Sequence, residues 1–264
     1  MPEFLGNRPI QLLFHQNLLK GTLGHAYIFS GPEGIGKKHL ALQLARSLNC
    51  SARPEGLTAC GQCTSCRKIE SGTHPDVRVI EPETKVFKVD QIREMIQDIY
   101  YQPFEGRKRV FILEQADKMN EEAGNSLLKT FEEPPEKSIL ILITTNLYAL
   151  LPTIRSRGQT LKFLPIPVRV VADYLEREKG YNHDQAGRTA RLSQGSIGTA
   201  LNLDLEECDR MERAALQLLE LLNSQDDATL LNHLGEIFSS GSDFDLFVKI
   251  LISILRDLVI MEYF

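Results

Sequence analysis

No stretch of this chain approaches the ~20 consecutive apolar residues that a membrane-spanning helix needs, which argues against an integral helical membrane protein. The opening Met-Pro-Glu-Phe-Leu-Gly lacks a basic region followed by an apolar core, so no secretory leader is expected and the expected location is cytoplasmic. An excess of positive charge is also missing: 30 Lys and Arg face 35 Asp and Glu, a net charge of -5. That balance excludes gripping nucleic acid with the whole surface. It leaves a local basic patch, or docking to partners that carry the DNA-binding charge. Cysteine is sparse but not scattered. Four of the five fall between Cys50 and Cys66, which in a reducing compartment reads as metal ligation before disulfides. What remains is an ordinary globular composition, 42% hydrophobic and 25% charged over 264 residues, enough for about two domains at ~150 residues each.

The apolar run Ala26-Tyr27-Ile28-Phe29 leads into Ser30-Gly31-Pro32-Glu33-Gly34-Ile35-Gly36-Lys37-Lys38, and a helical pattern follows from His39. Strand, glycine-rich turn and helix in that order form the context of a phosphate-binding loop. Gly31, Gly34 and Gly36 let successive N–H groups and the helix N-terminus face one anion, and Lys37 stands where the phosphate-binding lysine belongs. The next position departs from the pattern. Ser or Thr there gives Mg2+ a hydroxyl ligand, whereas Lys38 only donates. The loop is suited to phosphate and poorly equipped for hydrolysis.

Strand signals recur at the end of Thr73–Ile80, at Arg109–Leu113, at Ser138–Thr144 and at Gln159–Phe163. They alternate with helical patterns over 8–19, Val89–Tyr100 (with Asp90 placed to cap or charge its first turn) and Asn120–Phe131. Strands apolar along their whole length predict an α/β fold with a parallel sheet covered on both faces. Pro165 and Pro167 bracket a change of composition. Beyond them helices are expected over 168–178, 183–193, 196–203, 206–223, 226–238 and 243–262. The chain therefore divides into a core (1–165), a small helical domain (166–205) and a further helical segment (206–264). The last helix stops on apolar residues with no polar tail, as expected of a chain cut short; a buried terminal helix is the plainer reading. Arg107-Lys108-Arg109 reads as a solvated face, and Cys208 as a half-buried helical residue.

The cysteines stand as Cys50-x9-Cys60-x2-Cys63-x2-Cys66. A Cys-x2-Cys step brings two thiolates to one tetrahedral ion, and four ligands close a structural Zn2+ site with no open position for catalysis. Gly56 and Gly61 supply the turns. A redox role is disfavoured, because these steps sit in a loop and not at a strand-to-helix junction.

Phosphate-loop NTPases place an Asp at a strand end to hold Mg2+, and in many a following Glu polarises water. Here the strand ends in Glu114-Gln115. Glu114 reaches a metal only with altered geometry, and Gln115 accepts no proton. With Lys38, two independent catalytic positions are degraded.

In order along the chain come Gly31–Lys37, the four cysteines, Gly72-Thr-His-Pro-Asp76, Asn125-Ser-Leu-Leu-Lys-Thr-Phe-Glu-Glu-Pro-Pro135 and Leu151-Pro-Thr-Ile-Arg-Ser-Arg157. Over residues 10–205 this set resembles the AAA+ subunits of the bacterial sliding-clamp loader of DNA polymerase III. The resemblance implies an AAA+ P-loop core, a small helical lid, and a helical collar that builds the oligomeric ring, to which residues 206–264 contribute. It implies that Arg157, beside Ser156, reaches across a subunit interface to the ATP of a neighbouring motor subunit. Gly158 stands where the family motif has Cys. It places Thr144, Thr145 and Asn146 at the strand end that feels the γ-phosphate. Gly195-Ser196-Ile197-Gly198 lacks the arginine that family ATPases set on bound nucleotide, a third degraded element.

The reading that results is a replication protein that helps load the sliding clamp onto primed DNA with tau/gamma and delta subunits, hydrolysing little itself and donating Arg157. Whether ATP or ADP binds stays open, with the altered loop counting against it. An active motor ATPase of the tau/gamma type is the alternative, and needs Lys38 and Gln115 to be tolerated. A DNA-reading zinc finger is weaker, since only Arg53, Arg67 and Lys68 flank the cysteines and no base-reading helix is evident.

Overall fold

The computed structural model describes residues 4–52, 55–224, 235 and 244–263. Arg53 and, apart from residue 235, the helix expected over 226–238 lie outside the described residues. The chain forms two compact units, Met1–Ile166 and Pro167–Phe264.

The first unit is built on a parallel sheet of five strands, β1 (Ala26–Ser30), β2 (Val77–Ile80), β3 (Arg109–Leu113), β4 (Ser138–Thr144) and β5 (Gln159–Lys162), in the order β2-β3-β4-β1-β5. The three central strands are buried along their whole length, which is why each reads as an unbroken apolar run. The edge strand β5 is mostly exposed, and its sequence is correspondingly polar.

Helices α1 (Arg8–Lys20), α2 (Lys37–Asn49), α3 (Thr64–Glu70), α4 (Val89–Ile99), α5 (Glu121–Glu132) and α6 (Pro152–Arg155) complete this unit. Side chains of successive strand residues point to opposite faces. Ile28 joins Phe111, Leu113, Leu140 and Leu142 in a core roofed by Ile92, Met95 and Ile99 of α4 and Leu127 and Phe131 of α5. Tyr27 and Phe29 point the other way. Phe14 of α1 meets Tyr27 edge-on at 5.1 Å between ring centres, and Phe29 lies 5.1 Å from Phe163. Asn120 opens α5 by accepting the Ala123 N–H at 2.9 Å, and Pro134-Pro135 follows its end.

Of its two expected roles Asp90 takes the second, adding negative charge to the first turn of α4, while Lys88 holds the cap position. Two expectations are corrected. Arg109 is no solvated residue. It is buried, its guanidinium donates to the Asp98 carbonyl, and it lies 5.3 Å from the Phe111 ring centre. The cysteine stretch is not all loop, since Cys63 caps α3 and Cys66 lies in its first turn.

The second unit holds α7 (Val168–Lys179), α8 (His183–Leu192), α9 (Ile197–Asn202), α10 (Leu205–Ser224) and α11 (Phe244–Tyr263). Cys208, Met211, Ala215 and Leu218 of α10 pack on Leu246, Phe247 and Ile250 of α11, so Cys208 is fully and not half buried. Arg188 pairs with Asp209 at 2.8 Å and with Glu212, tying α8 to α10. Among the described residues no helix is long and apolar enough to cross a membrane.

The strand order positions the site. From β1 the chain crosses to β2 at the far edge of the sheet, and later returns to place β4 and β5 on either side of β1. The carboxyl ends of β1, β4 and β3 thus border the point where the winding reverses, the usual ligand crevice of an open α/β sheet.

Candidate functional site

The loop Gly31–Gly36 leaves β1 and enters α2 at Lys37. The Gly31 N–H donates to the Thr144 carbonyl at 3.3 Å, fastening the loop mouth to β4. A Cβ on Gly31 would stand 2.5 Å from the Phe163 carbonyl oxygen, so the backbone passes the end of β5 only as glycine. Lys37 is buried and turns back on its own loop, donating from Nζ to the carbonyls of Gly31 at 2.6 Å and Pro32 at 2.5 Å. Burial brings its pKa down to about 8 despite Glu33, Asp117 and Glu114 nearby.

Lys38 points to the acidic side. Its Nζ lies 3.0 Å from Glu81 Oε1 and forms a close ion pair with Glu114. Burial holds the Glu114 carboxyl above the usual carboxylate range even with Lys38 beside it. An ammonium group of the chain itself therefore sits against the acid that would face Mg2+ in a hydrolytic loop. Gln115 is exposed, has a left-handed backbone (φ 52°) and opens the short 3-10 turn Ala116–Lys118.

Thr144 Oγ1 donates to Asp117 Oδ1 at 2.7 Å, and the Thr145 N–H donates to the same oxygen at 3.1 Å. Asp117 was visible in the sequence only as part of an acidic run. Its position four residues after the strand end is the one available signal.

Ser156 and Arg157 follow α6 and are exposed. Arg157 reaches back to the end of α5, with Nε and Nη2 each 2.5 Å from Glu132 Oε1, and Nη1 donates to the Thr153 carbonyl at 3.1 Å. A Cβ on Gly158 would lie 2.9 Å from both Ile28 and Phe131, which explains why a side chain is not accommodated after Arg157. Glu132 as the partner of Arg157 was missed, because 25 residues separate them.

The four cysteine sulfurs all lie within 4.8 Å of one another, with Cys50 and Cys63 3.9 Å apart. Four sulfurs about 2.3 Å from one tetrahedral ion are spaced by about 3.8 Å, so the cluster fits a metal such as zinc with little movement. Cys60 N–H donates to Cys50 Sγ at 3.5 Å, Cys63 N–H to Cys60 Sγ at 3.4 Å and Cys66 N–H to Cys63 Sγ at 3.4 Å. Burial opposes ionisation of Cys63, but the backbone N–H groups of Cys66 and Ser51 and the Cys66 and Cys60 thiols bring its pKa down to about 6. Burial and the Cys63 partner push Cys66 up to about 12.

The Thr-His-Pro-Asp segment fastens this module to the sheet. His74 is buried; its Nδ1 accepts the Asp76 N–H at 3.1 Å, so Nε2 carries the proton and donates to Ser65 Oγ of α3 at 3.1 Å. Asp76 is buried and accepts the N–H groups of Phe104, Glu105 and Gly106 at 2.7–2.9 Å, with Arg109 Nε 3.7 Å away. Burial alone would raise its carboxyl, but the three N–H donors together hold it below the usual range. A folded value below the unfolded one contributes stability that is present above about pH 4 and lost as pH falls through the folded value. Asp76→Ala is expected to cost about 3–5 kcal/mol in a urea melt at pH 7, because it strands three N–H groups and a buried arginine. The difference from wild type should shrink as the pH is lowered through that window.

The family model described as DNA polymerase III, delta subunit matches residues 6–167. DNA polymerase III subunit delta' of Bacillus subtilis strain 168 is 38% identical over 220 residues, 82% of this chain and 65% of that protein. The delta' subunit of Pseudomonas aeruginosa is 44% identical over 149 residues, 56% and 45% of the two chains. The tau subunit of Escherichia coli K12 is 33% identical over 208 residues, 76% of this chain and 32% of that one. The chain thus spans less than two thirds of the length of these relatives. Among solved structures, the Thermotoga maritima RuvB Holliday junction branch migration motor superposes with a TM-score of 0.52 at 15% identity, covering 95% of this chain and 70% of that one. At that identity the likeness is one of fold, an AAA+ P-loop core with its parallel sheet and a helical C-terminal part.

Proposed function

The chain belongs to the DNA polymerase III delta-subunit family, and on that premise we propose that it is the delta-prime stator of a sliding-clamp loader, helping to place the clamp on primed DNA. Its partners are the tau/gamma and delta subunits, and through them the clamp and the DNA, in the cytoplasm. Residues 166–205 act as the lid and 206–264 as part of the collar. Cys50, Cys60, Cys63 and Cys66 hold a structural zinc that keeps the insert 50–66 folded.

The carrying observation is the ion pair between Lys38 and Glu114. The chain's own cation takes the charge that a Mg2+ ion would otherwise satisfy, and Gln115 offers no base. Lys37, occupied by the Gly31 and Pro32 carbonyls, holds the loop closed in place of a phosphate. Arg157, exposed and on no catalytic duty within its own subunit, is presented to the ATP bound by the neighbour. There it stabilises charge on the transferring phosphoryl group.

The isolated chain titrated with ATP is expected to give the same weak isotherm with and without Mg2+, and no turnover. Lys38→Thr, which frees Glu114 and adds a hydroxyl, is expected to make the isotherm depend on Mg2+. Mg2+-dependent turnover by the unaltered chain, abolished by Lys37→Ala, would overturn the stator reading in favour of a tau/gamma-type motor.

A further inference from the structure

Arg46 lies in the last turn of α2, four residues before Cys50, which caps that helix. Residues four apart share a helix face, so Arg46 is directed along the side of α2 that meets the cysteine module. Its side chain is buried, with 5% of the residue exposed, and its Nε has no hydrogen-bond partner. On the facing helix α3 the groups within electrostatic reach are Cys66, fully buried, and Glu70, exposed to solvent. With the thiols neutral, the largely buried Arg46 has only the exposed Glu70 as opposite charge and no acceptor at Nε, an under-compensated arrangement, because a buried charge needs an opposite charge or a full set of acceptors.

Four thiolates around one divalent ion leave two negative charges on the cluster. We propose that Arg46 is the countercharge of the four-cysteine site, retaining the bound metal by neutralising the thiolate cluster from the α2 side. The inference rests on the zinc reading above. Arg46 is a positioning residue and not a ligand. The backbone N–H donors at Cys60, Cys63 and Cys66 orient the sulfurs individually, whereas Arg46 offsets the net charge that they create together.

The test uses the full chain loaded with zinc, and reads zinc transfer to a chromogenic chelator together with melting temperature in zinc and in EDTA. Arg46→Met, which keeps length and loses charge, is expected to release zinc about 10- to 100-fold faster than wild type. Arg46→Lys should retain most of the wild-type hold. Without metal the sign reverses: Arg46→Met should melt no lower than wild type in EDTA, since it removes a buried charge that only the exposed Glu70 then offsets. A residue needed only for packing would lower both melts alike. Arg46→Gln repeats the comparison if the methionine variant does not fold. Wild-type zinc retention by the uncharged variants, equal destabilisation with and without zinc, or the same zinc loss from Glu70→Gln would each overturn the proposal. Wild-type chain that takes up no zinc would instead remove the metal reading on which it stands.

Discussion

On the stator reading, Arg157→Ala is expected to stop DNA-stimulated hydrolysis at the neighbouring motor site that Arg157 would serve, and clamp loading by the reconstituted complex should fall with it. An arginine supplied in trans stabilises the phosphoryl group in flight and is worth about 10³–10⁵ in rate at the site that it serves. The same substitution should leave the folded chain almost untouched. The Arg157–Glu132 pair is half exposed, and pairs of that kind contribute about 0–1 kcal/mol. Arg157→Lys is not expected to rescue, because an ammonium lacks the planar fork of donors. The complex is to be assembled with each variant, and ATP turnover measured with primed DNA and clamp present. Undiminished turnover and loading would sink the assignment of Arg157.

On the zinc reading, removing the metal should be the largest perturbation available to the isolated chain. Cys50 and Cys66 are fully buried, one at the end of α2 and the other at the start of α3, so an ion held by both sulfurs would tie the two helices together. Structural zinc contributes about 10–16 kcal/mol in small zinc-finger domains, well beyond the ~4–5 kcal/mol that marks an exceptional point mutation. EDTA or Cys66→Ala is therefore expected to strip hydrogen-exchange protection from residues 57–70 and to lower the melting temperature, while amides of β1, β3 and β4 stay protected. Zinc should also be lost as pH falls, since the ligands are thiolates. Unchanged protection of α3 after complete chelation would count against a structural metal.

What the sequence disclosed was local. The phosphate loop is legible because strand, glycines, lysine and helix follow one another within fifteen residues or so, and the cysteine site because ligand spacing is itself the geometry. The central strands announce themselves because both faces are buried. What stayed hidden were long-range polar partners. Asp76 receives N–H groups 28–30 residues away, and its chemistry in the sequence is only that of an Asp after a Pro. Arg109 looked solvated because it stands in a basic triplet. The sheet buries it, since β3 begins at that residue. The start of α3 was missed because its cap is a cysteine sulfur, accepting from the Cys66 N–H, and not a Ser, Thr, Asp or Asn oxygen.

The two lysines of the phosphate loop have a thermodynamic consequence. A protein that binds nucleotide in its native state alone gains stability by mass action, about 2.7 kcal/mol at a hundredfold excess over the dissociation constant, so its folded population follows the adenylate pool. Here the positive charges are already answered by carbonyls and carboxylates of the chain, at Gly31, Pro32, Glu81 and Glu114. On the stator reading binding is weak, so the melting curve moves little until ATP exceeds a high dissociation constant, and the subunit stays a nearly constant reference in the ring while the linkage between nucleotide and conformation plays out in its neighbours.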